Sequence, residues 1–204
     1  MAVTCPVDLD TVRLRNEVQN IYARVASAPD GEFHFHRGRA YAERLLRYDP
    51  SALARVPPFA VESFAGVGNP FRMEPIGEGA TVVDVGCGSG TDLLLAATAV
   101  GPRGRAIGVD MTDAMIRKAQ AAAAEAGLTW VEVRRGDALE LPVESGSADV
   151  VISNGVLNLA PDKRRVFSEV LRVLRPGGRF LYADIVVEAE LPESIRRDID
   201  LWSG

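Results

Sequence analysis

The residues best suited to ligand chemistry form a glycine-rich segment, VDVGCGSG, at residues 83–90. An apolar, β-branched run precedes it and a stretch with helical periodicity follows, so the segment is predicted to join a strand to a helix. Glycine permits positive φ angles and close approach of a ligand, and the following helix N-terminus presents unpaired N–H groups. The G-x-G-x-G spacing differs from the G-x-G-x-x-G of dinucleotide enzymes and from the Walker pattern of nucleotide-binding loops.

Three more polar turns follow the later strand candidates. Asp110 ends the second strand, where a carboxylate can accept hydrogen bonds from both hydroxyls of a ribose. Asp137 follows the third strand, where an acid can meet an adenine amino group, and Asn154 follows the fourth. Each acid alone is explained as well by a helix cap or a turn. Because all these turns lie at the carboxyl edge of a doubly wound sheet, together they predict one ligand site.

These turns require a parallel sheet to bring them together. Apolar runs alternate with stretches of helical periodicity from residue 80 onward, the pattern of a sheet covered on both faces. The predicted strands are Thr81–Val85, Arg105–Val109, Trp130–Arg134, Ala148–Ser153 and Arg179–Val187. The predicted helices are Asp92–Val100, Asp113–Ala126 and a segment opened by Pro161 with Phe167, Val170, Leu171 and Leu174 as its apolar stripe. The predicted fold class is α/β, with a doubly wound, mostly parallel, Rossmann-like sheet.

Residues 1–75 have a different pattern, which predicts an irregular helical appendage. A helix over Thr11–Ala26 has one apolar face, and either Asp10 or Thr11 could cap it. A short helix over Gly38–Tyr48 and a helical turn at residues 60–65 follow, separated by proline and glycine. The predicted domains are therefore a helical lid at residues 1–75 and a ligand-binding domain at residues 76–204.

Composition excludes several classes of protein. An apolar fraction of 47% over 204 residues argues against disorder, and the most apolar stretch is too short to span a membrane. A net charge of −5 argues against a nucleic-acid partner. Two cysteines cannot build a disulfide framework and no secretory signal is visible, so a cytoplasmic location is expected.

Four segments together resemble the class I S-adenosylmethionine-dependent methyltransferases. They are VVDVGCGSG, GVDMTDAMI, GDALELPVESGSADVVISN and LRVLRPGGRFLYADI, and the resemblance covers about residues 80–187. GVDMT and ISNGVLNLAPDK most resemble the arsenite methyltransferases, while AVESFAGVGNPF resembles a less characterised branch of that group. The resemblance implies S-adenosylmethionine as cofactor and methyl transfer to a small-molecule acceptor.

The same resemblance implies ten cofactor-binding residues in the turns described above. Four would lie under the methionine part of the cofactor: Asp84, Gly86, Cys87 and Gly88. Asp110 would hold the ribose, Met111 would pack against the adenine, and Asp137 and Ala138 would bind the adenine edge. Two would face the methionine end and the acceptor: Asn154 and Val156.

The chain departs from the arsenite methyltransferases at the thiols through which those enzymes bind trivalent arsenic. One thiol position matches Gly155, a second matches Val67, and a third would follow the final LWSG. The two cysteines lie elsewhere, Cys87 in the glycine-rich loop and Cys5 near the start. The sequence therefore predicts the enzyme class without arsenite as the acceptor.

The catalytic residues are not identified by the sequence. A general base is needed only if the acceptor must lose a proton, and the appendage offers four candidates: Tyr22, His34, His36 and Tyr41. His34 and His36 would share one face of a strand, but two ligands without a third do not make a metal site, so no metal is predicted.

Two other functions remain open at this point. A dinucleotide-dependent oxidoreductase could use the same sheet, although the glycine spacing and the Asn154 turn count against it. The other is a non-catalytic protein that binds S-adenosylmethionine for regulation or interaction. Gly155, Val67 and the short tail favour this second function.

The end of the chain is the last feature that the sequence raises. The fold that it resembles adds a helix and a two-stranded hairpin after strand five, and Leu191–Trp202 resemble the start of that helix. The last strands of the fold are therefore expected to be absent. The fifth strand would then be an open edge, which a homo-oligomer could cover.

Overall fold

The computed structural model describes residues 10–186, and in that range the strands form one parallel sheet. The order across the sheet is β3-β2-β1-β4-β5, and every neighbouring pair is parallel. The strands are β1 Thr81–Val85, β2 Arg105–Asp110, β3 Val131–Arg135, β4 Ala148–Asn154 and β5 Leu174–Ala183. This order changes direction between β1 and β4, so the carboxyl ends of the central strands border a crevice where ligands bind in such folds.

The central strands are buried because helices cover both faces of the sheet. Val82, Val83 and Val85 of β1 are each almost completely buried, which explains the continuous apolar run in the sequence. The helices that follow the strands are α5 Thr91–Val100, α6 Asp113–Glu125 and α7 Lys163–Val173. Helices in such crossovers place the loops that precede them at the carboxyl edge of the sheet.

The appendage is helical, as predicted, with shorter elements. The helices are α1 Thr11–Ser27, α2 Gly38–Arg44, α3 Pro50–Leu53 and α4 Pro58–Glu62. Asp10 is the cap of α1, since its carboxylate accepts hydrogen bonds from the N–H groups of Val12 and Arg13 at 3.1 and 2.9 Å. Helix α2 ends before Tyr48, whose side chain is instead buried in the core beneath α4.

Two predictions about the elements were wrong, and the strand considered for a histidine metal site is absent. Strand β5 begins at Leu174, because the PGG at residues 176–178 forms an irregularity within the strand and does not precede it. Helix α7 buries Val166, Val170 and Val173, whereas Phe167 and Leu171 are exposed. The segment of His34 and His36 forms no strand.

The remaining expectations concern membrane spans, metal sites and segments outside the described residues. Within residues 10–186, no helix is long and apolar enough to cross a membrane, and no three side chains are grouped as metal ligands. Cys5 and the helix predicted at Leu191–Trp202 lie outside the described range.

Candidate active site

A cavity of about 270 Å³ lies at the carboxyl edge of the sheet, roofed by helix α1. All ten residues that the sequence analysis assigned to the cofactor line this one cavity: Asp84, Gly86, Cys87, Gly88, Asp110, Met111, Asp137, Ala138, Asn154 and Val156. The strand ends bring them together because β1, β2, β3 and β4 are neighbours in the sheet. Their roles toward a ligand remain predictions.

The glycine-rich loop is held against strand β2 and leaves space above it. The N–H groups of Gly86 and Cys87 donate to the Val109 carbonyl at 2.8 and 3.0 Å. Gly86 has a φ of +71°, and an added Cβ there would lie 2.3 Å from Val156 Cγ2. Gly88 has a φ of +52°, and a Cβ there would have no atom within 4 Å. The loop therefore presents its backbone at Gly88 directly to the cavity.

Asp110 links this loop to the end of β2. One carboxylate oxygen accepts the Gly88 N–H at 2.8 Å and the other accepts the Thr112 N–H at 2.8 Å. Burial raises the pKa of Asp110, and these two backbone hydrogen bonds oppose the rise. Because a carboxylate oxygen can accept more than one hydrogen bond, Asp110 can still receive hydroxyl donors from a ligand.

Asp84 is a buried acid with an unmatched oxygen. Its side chain is 2% exposed, and its Oδ2 atom has no hydrogen-bond partner. Burial, with Asp92 and Asp110 as neighbouring negative charges, raises the pKa of Asp84 well above its usual value. A buried carboxylate that lines a cavity without a partner favours a ligand with a positive charge or hydrogen-bond donors. S-adenosylmethionine, which has both a sulfonium and an ammonium group, fits this requirement.

Asn154 is the centre of a hydrogen-bond network that joins the cavity floor to the loop at residues 66–68. Its side-chain oxygen accepts the N–H groups of Val67 and Gly68 at 2.7 and 3.0 Å. Its amide nitrogen donates to the Gly68 carbonyl, the Asp92 carboxylate and the Tyr48 hydroxyl at 2.8, 2.9 and 3.1 Å. The Tyr48 hydroxyl in turn donates to Asp92 at 2.8 Å. The amide of Asn154 thus positions the loop.

Asp92 makes the folded protein less stable as pH rises. Burial raises the pKa of Asp92 from 3.8 to about 6, and the hydrogen bonds from Asn154 and Tyr48 oppose the rise. Between these values the folded protein binds more protons than the unfolded chain. The free energy of unfolding therefore falls as pH rises from about 4 to about 6 and then levels off, by about 3 kcal/mol for this group.

We expect Asp92→Asn to flatten this dependence, because asparagine does not titrate. Urea unfolding of both proteins at several pH values between about 4 and 7 measures it. Part of the dependence remains in the variant, since burial also raises the pKa values of Asp84 and Asp110. Equal slopes for variant and wild type would contradict the role given to Asp92.

Of the four candidate bases, Tyr22 alone lines the cavity. Burial, with Asp110 and Asp184 as nearby negative charges, raises the pKa of Tyr22 to about 12. Its hydroxyl is therefore protonated at neutral pH and suits hydrogen-bond donation better than proton removal. His36 lies away from the cavity and packs against Tyr41, with the ring centroids 5.4 Å apart and the ring planes tilted by 33°.

Cys87 is the one cysteine in the described range, and it is unsuited to reaction. Its side chain is 6% exposed, and burial raises its pKa well above the usual value, assisted by Asp110 and Asp84. A protonated, buried thiol is neither a nucleophile nor a metal ligand. Its position beneath the glycine-rich loop, where its side chain packs against Gly108, is that of a small packing residue.

The adenine end of the predicted site is covered by helix α1. Asp137 accepts the Leu139 N–H at 2.8 Å through Oδ1, and its other oxygen forms an ion pair with Arg15. The Gln19 amide donates to the Met111 carbonyl at 3.0 Å. Helix α1 therefore contacts two of the four residues assigned to the adenine and ribose.

Several residues of the site were missed by sequence reasoning. Asp184, a negative charge near Tyr22, directly follows β5, but the predicted strand continued to Val187, so the rule that identified Asp110 and Asp137 did not point to it. Its carboxylate accepts the N–H groups of Asn158 and Ile185 at 3.1 and 2.8 Å. Asp92, Tyr48 and Arg15 had no such pattern, because their partners are distant in the sequence.

The chain is similar to a known family and to individual relatives. The family described as "Methyltransferase domain" matches residues 76–203. The arsenite methyltransferase of Halobacterium salinarum is 39% identical over 98% of this chain and 54% of its own length. The nocamycin O-methyltransferase of Saccharothrix syringae is 44% identical over 50% of this chain and 36% of its own length.

A solved structure gives a similar result. The arsenic(III) S-adenosylmethionine methyltransferase of Chlamydomonas reinhardtii superimposes with a TM-score of 0.65 at 43% identity, and the match covers 71% of this chain and 51% of that one. The chain spans about half the length of these arsenic methyltransferases.

Proposed function

This chain belongs to the class I S-adenosylmethionine-dependent methyltransferases, in the arsenite methyltransferase branch, and we propose that it transfers a methyl group to a small molecule in the cavity described. The observation that best supports the proposal is the buried carboxylate of Asp84 beside the glycine-rich loop, whose Oδ2 atom has no hydrogen-bond partner. A cationic cofactor in this cavity would supply the partner that Asp84 lacks. The residues also fit the polar parts of that cofactor.

Three groups of residues would hold the cofactor. Asp84 and the backbone at Gly88 would bind the amino-acid end, and Asp110 would accept hydrogen bonds from the ribose hydroxyls. Asp137 and Met111 would contact the adenine. These roles use atoms that already face the cavity, and Asp110 is fixed by hydrogen bonds before any ligand arrives. Fixed acceptors lower the entropic cost of binding.

The chemistry of transfer belongs largely to the cofactor. When bound, S-adenosylmethionine supplies a methyl group on a sulfonium, which a nucleophile can attack in line. The protein aligns the acceptor and excludes water, and the apolar side chains of Leu14, Val18 and Leu159 above the cavity suit that task. Tyr22, with its proton retained, can donate a hydrogen bond to the acceptor.

The acceptor proposed is a small molecule other than thiol-bound arsenite. In the described residues, Val67 and Gly155 occupy two positions that the family resemblance assigns to thiols. An ideal Cβ at residue 155 would lie 3.2 Å from Val67 Cγ1, so the two positions are neighbours at the side of the cavity that Gly155 lines. Val67 presents a methyl group where two neighbouring thiols could hold a soft metalloid.

The appendage and the domain boundary are part of this proposal. Residues 10–75 would act as the cover of a methyltransferase domain that begins at about residue 76. Loop 66–68, which Asn154 fixes, would form the acceptor side of that cover.

Two measurements test the function. Calorimetry with S-adenosylmethionine, and with NAD as the control, is expected to show binding of the first ligand only. Methyl release onto a panel of thiols, phenols and arsenite then identifies the acceptor class. Absence of S-adenosylmethionine binding would contradict the proposal, and binding without transfer to any acceptor would favour a non-catalytic role. Efficient arsenite methylation would overturn the acceptor assignment alone.

Asp110→Ala is expected to weaken binding of S-adenosylmethionine by about 1–3 kcal/mol, or about 5- to 150-fold in Kd, because a charged hydrogen-bond acceptor is lost. Calorimetry measures the change. Asp113→Ala is the matched control, since it makes the same substitution at an exposed position of the next helix. Equal affinity of the Asp110 variant and the wild type would exclude a ribose contact.

A further inference from the structure

The two halves of helix α1 make different kinds of contact. At its C-terminal end, Val25 is completely buried and packs with Met115 of helix α6. The Lys118 ammonium donates to the Ala26 carbonyl at 2.8 Å, and the Ser63 hydroxyl donates to the Val25 carbonyl at 3.0 Å. These buried contacts fix this end of the helix to the methyltransferase fold.

The N-terminal half of the helix, residues 11–18, lies over the cavity instead. Leu14 and Val18 are buried there in a small cluster with Met111 and Leu159. Met111 itself lines the cavity and is predicted to contact adenine. A ligand at that end must therefore share or replace the contacts that this half of the helix makes.

One ion pair closes this half of the helix over the adenine end. Arg15 pairs with Asp137, with side chains 50% and 22% exposed. An ion pair with this exposure is weak and is screened by salt, so it can open at small cost. The Gln19 amide adds one hydrogen bond to the Met111 carbonyl.

Both oxygens of Asp137 are engaged in this arrangement. Oδ1 accepts the N–H of Leu139 within its own turn at 2.8 Å, and Oδ2 pairs with Arg15. An adenine amino group is a hydrogen-bond donor, as a guanidinium is. Although a carboxylate oxygen can accept more than one hydrogen bond, Arg15 also lines the cavity, so its guanidinium occupies space beside Asp137 that an adenine amino group would need.

We propose that Arg15 and the adenine amino group of the cofactor compete for Asp137, so that helix α1 opens about its fixed C-terminal end to admit the cofactor. The inference rests on the proposed function, because it requires an adenine-bearing ligand in this cavity. Arg15 is then a positioning residue that stabilises the closed, empty form. Its removal makes the cofactor site easier to reach.

The test compares wild type with Arg15→Gln in stopped-flow binding of S-adenosylhomocysteine. The association rate constant of the variant is expected to rise about two- to fivefold, the range for loss of an exposed ion pair. Raising the salt concentration increases the wild-type association rate and leaves that of the variant nearly unchanged, because salt screens the pair that the variant lacks.

Two further variants serve as controls. Arg13→Gln removes the same charge from an exposed position of the same helix and should bind as the wild type does. Arg15→Lys keeps a positive charge near Asp137 and should restore most of the wild-type rate. Hydrogen exchange of the empty protein gives a readout without ligand: amides of residues 11–18 exchange faster in Arg15→Gln, whereas those near Val25 do not.

The outcomes separate this inference from the proposed function. Arg15→Gln could instead bind S-adenosylhomocysteine more weakly, or release it faster at an unchanged association rate. Either result would mean that Arg15 covers the bound adenine, and it would contradict the proposal that Arg15 competes with adenine for Asp137. Unchanged binding and unchanged exchange also contradict the inference. If the wild type does not bind the ligand at all, the proposed function fails, while the exchange measurement still shows whether Arg15 holds the helix closed.

Discussion

Gly88→Val is expected to abolish binding of S-adenosylmethionine at useful concentrations while the protein stays folded. The new side chain would project into the cavity, since an added Cβ at residue 88 meets no atom within 4 Å. Overlap with the ligand would cost about 3 kcal/mol or more, which is about 100-fold in Kd. Calorimetry gives the affinity, and thermal unfolding shows that the fold persists with a modest loss from the positive φ of +52°.

The neighbouring glycine provides the contrast. A Cβ at residue 86 would overlap Val156, so Gly86→Ala is expected to lose about 2–4 kcal/mol of stability. The two substitutions are therefore expected to differ: Gly88→Val mainly weakens ligand binding, whereas Gly86→Ala mainly lowers the stability of the fold. Normal binding by Gly88→Val would contradict the role of the loop. A stability loss as large as that of Gly86→Ala would show that the substitution acts through the fold.

Asn154→Ala is expected to lower the free energy of unfolding by about 3–5 kcal/mol. Alanine removes both donors and the acceptor of the network, and it leaves a buried carboxylate oxygen of Asp92 without its amide partner. Loop 66–68 also loses the acceptor of its two N–H groups. Urea unfolding at neutral pH measures the change.

Asn69→Ala is the matched control for this substitution. Asn69 directly follows loop 66–68, and its side chain caps the short helix Pro70–Arg72 by accepting the Phe71 N–H at 3.1 Å. Loss of such a cap costs about 1 kcal/mol. If Asn154→Ala costs no more than this, the amide of Asn154 does not hold the loop as the hydrogen bonds suggest.

The sequence predicted strands β1 to β4 well and strand β5 and the buried face of helix α7 less well, for physical reasons. Strands β1, β2 and β4 are buried on both faces, so their apolar runs mark their bounds within a residue or two. The periodicity of α7 allowed two apolar stripes, one through Phe167 and one through Val166. Only contact with the sheet selects between them, because both have helical spacing.

Part of the candidate site could likewise be predicted from the sequence and part could not. The residues that follow the strands could be predicted, because strand ends in a parallel sheet meet at one edge. The contacts that hold the site in shape could not, since Asn154 and Val67 are 87 residues apart and no local pattern links them. Arg15 and Asp137 are likewise joined only by the fold.

The unpartnered carboxylate of Asp84 also has a consequence for protein engineering. A buried carboxylate oxygen without a partner is a cost to the folded protein, and replacing Asp84 with an apolar residue of similar size would relieve that cost. A thermostability screen that selects on folding alone would therefore favour substitution at Asp84. Such a screen would improve the scaffold by discarding the group best placed to bind a cation, a trade of function for stability.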